Sequence, residues 1–118
     1  MKPGSREAEL LEQHAAGVRT FANRDLDDRS YDFVNAVLIG ADFTGSFITA
    51  DFRGANLCGA VFANCNVKTS DFRGADLSNA SFRQSAIDGA DFSGAILDGT
   101  NFEGASNQGH VYGPGEKP

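Results

Sequence analysis

The sequence lacks tryptophan, and methionine, cysteine and histidine are scarce, with one, two and two copies among 118 residues. It carries instead ten phenylalanines and fourteen glycines. This bias suits a regular repeat better than an irregular globular core. No stretch approaches the length of apolar residues that a membrane helix needs, so we expect no membrane-spanning segment.

Basic residues are also few, because ten Lys and Arg stand against sixteen Asp and Glu, for a net charge of −6. Nucleic acids and anionic membranes are bound through basic surfaces, so we expect neither as a direct partner. The stretch Met1–Glu12 is charged and has no long apolar core. We therefore expect no signal peptide.

What the chain does contain is a line that returns every twenty residues, first as Ala50–Gly54, then as Ser70–Gly74 and Ala90–Gly94. Between these returns the unit is five residues long: small, polar, bulky apolar, variable, and Gly or Asn. A short fixed period is typical of a solenoid, whose repeats contact their neighbours and whose function lies on the outer surface.

The bulky apolar centres of the units fall into four sets that recur together. The sets are Phe33, Phe52, Phe72 and Phe92; Leu38, Leu57, Leu77 and Leu97; Phe43, Phe62, Phe82 and Phe102; and Phe47 or Ile48, Val67 and Ile87. Four units would make one coil, so identical residues would stack along the axis. The spacing leaves open whether Phe47 or Ile48 points inward. The longer step from Leu26 to Phe33 indicates two inserted residues near Asp28–Ser30.

Two further positions of the unit fit a narrow tube. The residue two before each centre is nearly always small, usually Ala, because a second inward side chain has room only in a corner. Gly or Asn at the fifth place suits turns that need positive φ. We expect the repeat array to cover residues 19–106.

The two ends differ from the array. Residues 1–18 are predicted as an N-terminal capping helix that begins at Ser5, with Glu7 and Glu9 favouring its positive end. Its apolar stripe, expected to cover the open end of the solenoid, consists of Ala8, Leu11, Ala15 and Val18. Residues 107–118 carry no repeat and are predicted as a flexible tail.

Units such as Ala41–Gly45 and Ala75–Asn79 resemble the pentapeptide-repeat family, and the resemblance extends over most of the chain. The leader Leu10–Arg19 is similar to the capping helix of short bacterial members. The resemblance implies an all-β fold: a right-handed quadrilateral parallel β-helix of about four coils with a short N-terminal α-helical cap. It implies no single activity, because a fold shared by several functions does not identify one of them.

The residues suggest no catalytic, cofactor or metal site. His14 and His110 have no acid–base partner nearby in sequence, and we expect them to be surface or capping residues. A bore filled with Phe leaves no cleft for a small-molecule substrate, so we expect no enzyme. Cys58 is expected outside and Cys65 inside the coil, so they form neither a ligand pair nor a disulfide, and a cytoplasmic location is the default.

One wall carries a candidate protein-binding site, a column of acidic residues. The column consists of Asp32, Asp51, Asp71 and Asp91. Each precedes a centre of the first set, so the coils would stack them at strand spacing, with Arg53 and Arg73 offsetting part of their repulsion. Some family members resemble DNA and bind type II topoisomerases, which makes gyrase inhibition or protection the alternative function. The simpler interpretation of these Asp residues is solubility and hydrogen bonding in turns.

The C-terminal end offers a second candidate surface at Leu97 and Phe102, which no helix follows. Either the tail folds over it through Val111 and Tyr112, or a second copy stacks on it as an end-to-end homodimer, because uncovered β-edges invite pairing. The sequence predicts, as the main function, a rigid protein-binding or scaffold module with an unknown protein partner.

Overall fold

A computed structural model describes residues 5–118, so the first four residues of the predicted capping segment lie outside the described part of the chain. In chain order the elements are α1 (Arg6–Ala15), β1 (Asp25–Asp32), β2 (Phe47–Asp51), β3 (Ser106–Asn107) and β4 (His110–Val111). β1 and β2 pair in parallel, and β3 and β4 pair antiparallel. No helix within residues 5–118 has the length and hydropathy to cross a membrane.

Single parallel bridges hold the rest of the array together. One ladder joins Asp51 to Asp71 and Asp71 to Asp91, so the chain returns to the same wall after twenty residues. On this wall the Phe72 N–H donates to the Asp91 carbonyl at 2.8 Å, and the Asp91 N–H donates to the Ser70 carbonyl at 3.1 Å. Each five-residue unit therefore contains one position that pairs with the neighbouring coils and one turn. The pairing between successive coils builds the solenoid.

The predicted apolar centres form the core. Phe33, Phe52, Phe72 and Phe92 stack as one file, with ring centroids 5.0–5.3 Å apart. A second file contains Phe21, Phe43, Phe62, Phe82 and Phe102. The two files meet edge to face, as at Phe62 and Phe72, whose ring planes are 84° apart. Burial confirms the inward positions of these centres, of which only Phe92, in the last coil, is half-buried.

The small position of the unit is also buried, as predicted, except in the last coil, where Ala90 and Ala95 are half-buried. Ala55, Ala60 and Ala75 have no exposed surface. Where the small residue is polar, it bonds to a backbone carbonyl. The Ser70 hydroxyl donates to the Ile48 carbonyl of the coil below at 3.0 Å, and the Cys65 thiol donates to the Phe43 carbonyl at 2.9 Å, whereas the Ser85 hydroxyl donates to the Phe82 carbonyl of its own coil at 2.6 Å. These bonds let hydroxyl and thiol groups replace Ala without an unpaired buried polar atom.

The structure resolves the choice between Phe47 and Ile48. Ile48 is buried and Phe47 is 52% exposed. Ser46 fills the small position two residues earlier, and its hydroxyl accepts a hydrogen bond from the Arg24 N–H at 2.9 Å. Ile48 is therefore the centre, and the next side of the coil is one residue short.

The predicted insertion of two residues lies in β1, and it faces the side of the next coil that is one residue short. Leu26 pairs with Ile48 and Tyr31 with Ala50, so residues 27–30 stand opposite the single residue Thr49. Tyr31 is buried, although it belongs to none of the predicted sets. The extra residues form a bulge that projects towards α1.

Helix α1 begins as predicted, because the Ser5 hydroxyl accepts a hydrogen bond from the Ala8 N–H at 3.1 Å. The predicted apolar stripe is wrong for Ala15 and Val18, which are exposed, while Ala8 and Leu11 are half-buried. The buried residues of the helix are Glu7, Leu10 and His14. The end of the solenoid presents backbone polar groups as well as apolar rings, so polar side chains face it.

Part of the segment assigned to a flexible tail has regular structure. β3 and β4 form a short antiparallel hairpin, after which Tyr112 is buried and lies 6.2 Å from the Phe102 ring. The Tyr112 N–H donates to the Ala105 carbonyl at 2.9 Å. Val111 is 62% exposed. Of the two apolar residues in this segment, Tyr112 therefore covers the last coil and Val111 does not.

Candidate protein-binding surfaces

The structure brings the four Asp residues of the predicted column together. The parallel register pairs Asp32 with Asp51, Asp51 with Asp71, and Asp71 with Asp91. Asp51 and Asp71 are half-buried, and Asp32 and Asp91 are exposed. The column is therefore a continuous feature of one wall.

Two arginines neutralise much of this column. Arg53 places Nη2 2.7 Å from Asp51 Oδ2 and Nε 3.9 Å from Asp71 Oδ2. Arg73 does the same one coil later, with Nη2 2.7 Å from Asp71 and Nε 3.8 Å from Asp91. Hydrogen bonds from Arg53 and Arg73 hold the pKa of Asp51 and of Asp71 below the usual range. The wall is thus a ladder of alternating charges, unlike a row of free carboxylates.

The same carboxylates stabilise the turns that follow them. Asp51 Oδ1 accepts a hydrogen bond from the Arg53 N–H at 3.1 Å, and Asp91 Oδ1 accepts one from the Ser93 N–H at 2.9 Å. Asn56 makes the same contact with the Cys58 N–H on another wall. Because Asp and Asn are interchangeable here, the recurrence of Asp in the repeat reflects turn geometry as well as charge.

At the C-terminal end, the two predicted contact residues have different surroundings. Phe102 is buried under Tyr112. Leu97 is only half-buried, and so is its neighbour Phe92. The surface left for contact is therefore centred on Leu97 and Phe92, and Phe102 does not belong to it.

At the N-terminal end, an ion pair between the buried Glu7 and the half-exposed Arg29 joins α1 to the bulge of β1. Arg29 donates to the two carboxylate oxygens of Glu7 at 2.8 and 2.5 Å, and the Asp32 N–H donates to Glu7 at 3.2 Å. The hydrogen bonds from Arg29 lower the pKa of Glu7 to about 2, against the opposing effect of burial. The Arg29 guanidinium also lies 4.2 Å from the centre of the Tyr31 ring.

Two further side chains bond to backbone carbonyls of this first edge. Arg6 donates to the Asp25 carbonyl at 2.7 Å, and His14 Nε2 donates to the Ile39 carbonyl at 2.8 Å. Sequence reasoning gave no role to Glu7, Arg29 or Arg6 in this contact. The charged insertion at Asp28–Ser30 was the one signal that could have indicated a partner for the helix.

The described residues offer little that could bind a metal ion or act as a nucleophile. Within residues 5–118 no group of His, Cys, Asp and Glu is arranged to hold a metal ion. Cys58 and Cys65 are both free, the first half-buried and the second buried. Burial raises the pKa of the Cys65 thiol to about 11, so this sulfur is unreactive near neutral pH.

The comparisons with known proteins agree with this architecture. The family model for pentapeptide repeats matches residues 50–86 and 87–106, with eight copies. Among solved structures, the pentapeptide repeat protein Rfr23 from the cyanobacterium Cyanothece 51142 is 20% identical, with a TM-score of 0.62 over 75% of this chain and 64% of that chain. No curated protein sequence matches this chain.

A second solved structure is a trypsin-treated form of QnrB1, which is described as a plasmid-mediated fluoroquinolone resistance protein. It is 25% identical, with a TM-score of 0.53 over 64% of this chain and 45% of that chain. Full-length QnrB1 is 21% identical, with a TM-score of 0.56 over 73% of this chain and 59% of that chain. The present chain therefore spans less than two thirds of the length of these solved relatives.

The chain folds as a right-handed β-helix solenoid built from short repeats. The chain belongs to the pentapeptide-repeat family. Proteins of this family are generally structural or binding modules without enzymatic activity.

Proposed function

We propose that this protein is a non-enzymatic, rigid binding module whose protein partner contacts the outer walls of the solenoid. The observation that carries the proposal is the filled interior, where residues such as Leu57, Phe62 and Phe72 have no exposed surface. A solenoid packed in this way presents its outward side chains to other molecules. Because those side chains are fixed by the register of the coils, the wall is a preorganised surface.

The coils are four-sided in this proposal, about four of them make the array, and α1 is the N-terminal cap. Four ladders of parallel bridges, each advancing by twenty residues, support the four-sided form. They are represented by Asp51–Asp71, Asn56–Asp76, Val61–Ser81 and Asn66–Ala86. The polar contacts of Glu7 and His14 with the first coil support the capping role.

The proposal is tested by affinity capture from the native host with wall variants of the full-length protein. Arg53→Glu reverses one charge on the Asp wall, and Arg83→Glu does so on another wall; both side chains are exposed. We expect one captured protein to be lost with one of these variants and retained with the other, while circular dichroism shows that both variants remain folded. Capture that is insensitive to every wall variant would contradict binding through a defined surface.

Protection of gyrase from fluoroquinolones is the second candidate function. It is favoured by the similarity to QnrB1, which reaches 25% identity. In this interpretation the wall of Asp32, Asp51, Asp71 and Asp91 mimics the phosphates of duplex DNA. Because Arg53 and Arg73 bridge these carboxylates, the mimicry depends most on the less screened Asp32 and Asp91.

A supercoiling assay with purified gyrase and a fluoroquinolone distinguishes the two functions. Gyrase protection predicts that supercoiling recovers as the protein is added, and that Asp32→Asn with Asp91→Asn reduces the recovery. The matched control is Asp98→Asn, which removes an exposed carboxylate from a different wall. If high micromolar protein neither restores nor inhibits supercoiling, gyrase is not the partner, and the general binding module remains the proposed function.

The association of two copies through the C-terminal coil also belongs to this proposal. The half-buried Leu97 and Phe92 support it, since such residues gain from burial. Sedimentation of the wild type and of Leu97→Asp over a range of concentrations tests the association, which the variant should weaken.

We also place the protein in a bacterial cytoplasm, where a reducing environment keeps thiols such as Cys58 free.

A further inference from the structure

The edge of the last coil has unpaired backbone groups on two of its walls. In the coil below, the N–H groups of Phe72 and Leu77 donate to the carbonyls of Asp91 and Ile96 at 2.8 and 2.9 Å. The corresponding groups of the last coil donate to no atom of residues 5–118; they belong to Phe92, Gly94, Leu97 and Gly99. This edge therefore has the donors that another strand would use.

The β3–β4 hairpin covers the other part of the same end. The Gly104 N–H donates to the Tyr112 carbonyl at 2.9 Å, and the Tyr112 ring lies beside Phe102. Beyond Tyr112, the chain turns back across the edge that carries the unpaired N–H groups. Two kinds of cover are therefore present, a paired hairpin over Phe102 and an unpaired segment, Gly113–Pro118, over the rest.

The segment Gly113–Pro118 reaches the open edge at its last two residues. Lys117 Nζ donates to the Leu97 carbonyl at 2.6 Å. Pro118 lines one depression together with Ala90 and Phe92. The segment thus lies where a further coil would stack, but it meets one backbone carbonyl and leaves the four N–H groups without a partner.

A second set of contacts fastens this segment to the hairpin. Glu116 Oε1 accepts a hydrogen bond from the Gly113 N–H at 2.9 Å, and Glu116 Oε2 pairs with His110 Nε2. The His110 ring in turn packs edge to face on Tyr112, at 4.7 Å between ring centres. These contacts hold Glu116 against the hairpin, and so they position Lys117 and Pro118 at the edge.

We propose that Gly113–Pro118 is a strap that occupies the open end of the solenoid and competes with a second copy of the chain for it. The inference rests on the end-to-end association proposed above and adds what controls it. Because the strap bonds through exposed side chains, which contribute little in water, a partner edge that pairs with the free N–H groups can displace it. The strap therefore sets how readily two copies associate.

The test compares the full-length wild type with Glu116→Gln, Lys117→Ala and the double variant by sedimentation over a range of concentrations. Releasing the strap should lower the dissociation constant of the dimer by about five-fold or more in the double variant. Adding Leu97→Asp should abolish this gain. The matched control is Glu12→Gln with Lys68→Ala, which removes the same charges from exposed positions elsewhere and should leave association at the wild-type level.

An NMR contact between Pro118 and the Phe92 ring measures the strap itself. We expect a nuclear Overhauser effect between them in the wild type at dilute concentration and its loss in Glu116→Gln. Absence of this effect in the wild type would overturn the strap whatever the oligomeric state. If the effect is present but the double variant associates no better than the wild type, the competition is wrong. The pairing surface itself is tested separately by Leu97→Asp in the wild-type background.

Discussion

The rings of Phe72 and Phe92 stack with their centroids 5.0 Å apart and their planes within 4° of parallel. The preceding residues, Asp71 and Asp91, form a parallel bridge, so the backbone register places the two rings face to face. The same twenty-residue register applies at the inward positions from Phe52 onward. A substitution at one ring therefore affects the coil above and the coil below together.

A pair of glycines in one coil tests how the corners are packed. Gly54 and Gly59 have φ of 66° and 69°, so any side chain is strained at both, by about 1–2 kcal/mol. A Cβ at Gly54 would collide with Asn35 Oδ1, whereas a Cβ at Gly59 would meet nothing within 4 Å. Gly54→Ala should therefore lower the unfolding free energy more than Gly59→Ala, as measured by urea denaturation.

The matched background for this comparison is Asn35→Gly, which removes the amide that the new methyl group would meet. In that background Gly54→Ala and Gly59→Ala should have similar costs. An unchanged difference between them would mean that the corner contact with Asn35 does not cause it.

The Glu7–Arg29 pair predicts a specific dependence of stability on pH. The pKa of Glu7 is about 2 in the folded protein, against about 4.5 for an unperturbed carboxyl group, because Arg29 hydrogen bonds to the charged form. A depressed folded pKa gives stability that is present above pH 4.5 and is lost as the pH falls towards 2. By linkage the loss is at most about 3 kcal/mol.

Glu7→Gln removes this titration and keeps the side chain the same size. Thermal unfolding should show that the wild type is more stable than Glu7→Gln at pH 6, and that the difference shrinks towards pH 2. The control is Glu9→Gln, which changes an exposed carboxylate of the same helix, whereas Arg29 pairs with Glu7. Parallel pH profiles for the wild type and Glu7→Gln would show that the pair does not hold α1 to β1.

The two thiols should react at very different rates. Cys65 is buried, and its pKa is raised to about 11, whereas Cys58 is half-buried on the wall. We expect one thiol per native chain to react with a disulfide reagent at pH 8 and two in denaturant. Cys58→Ser should remove the reaction of the native protein. A fast reaction that survives this substitution would mean that Cys65 is not sealed in the core.

Much of the core could be predicted from the sequence because successive coils of the same length can stack in only one register. Parallel pairing stacks residues twenty apart, so the period alone assigns Phe52, Phe72 and Phe92 to one file. The same logic aligned Asp51, Asp71 and Asp91 on one wall. The bridging by Arg53 also followed from its place in the unit.

The irregular positions could not be predicted in the same way. Phe47 and Ile48 are both bulky and apolar, and the choice depends on the short side of the coil, where Ser46 fills the small slot. At α1, hydrophobic periodicity favoured Ala15 and Val18, but the helix ends at Ala15, before Val18, and it packs on backbone polar groups. Those groups attract Glu7 and His14, which a search for apolar stripes does not select.

Unfolding of Phe72→Ala beside Arg73→Ala is the most direct test of the filled solenoid. Phe72 has no exposed surface, so its truncation should cost about 3–5 kcal/mol through the lost ring and the cavity. Arg73 is half-exposed on the wall and pairs with Asp71 and Asp91, and exposed ion pairs contribute little in water, so Arg73→Ala should cost far less than Phe72→Ala. Equal losses at the two positions, measured by urea denaturation at neutral pH, would contradict an interior filled by stacked rings.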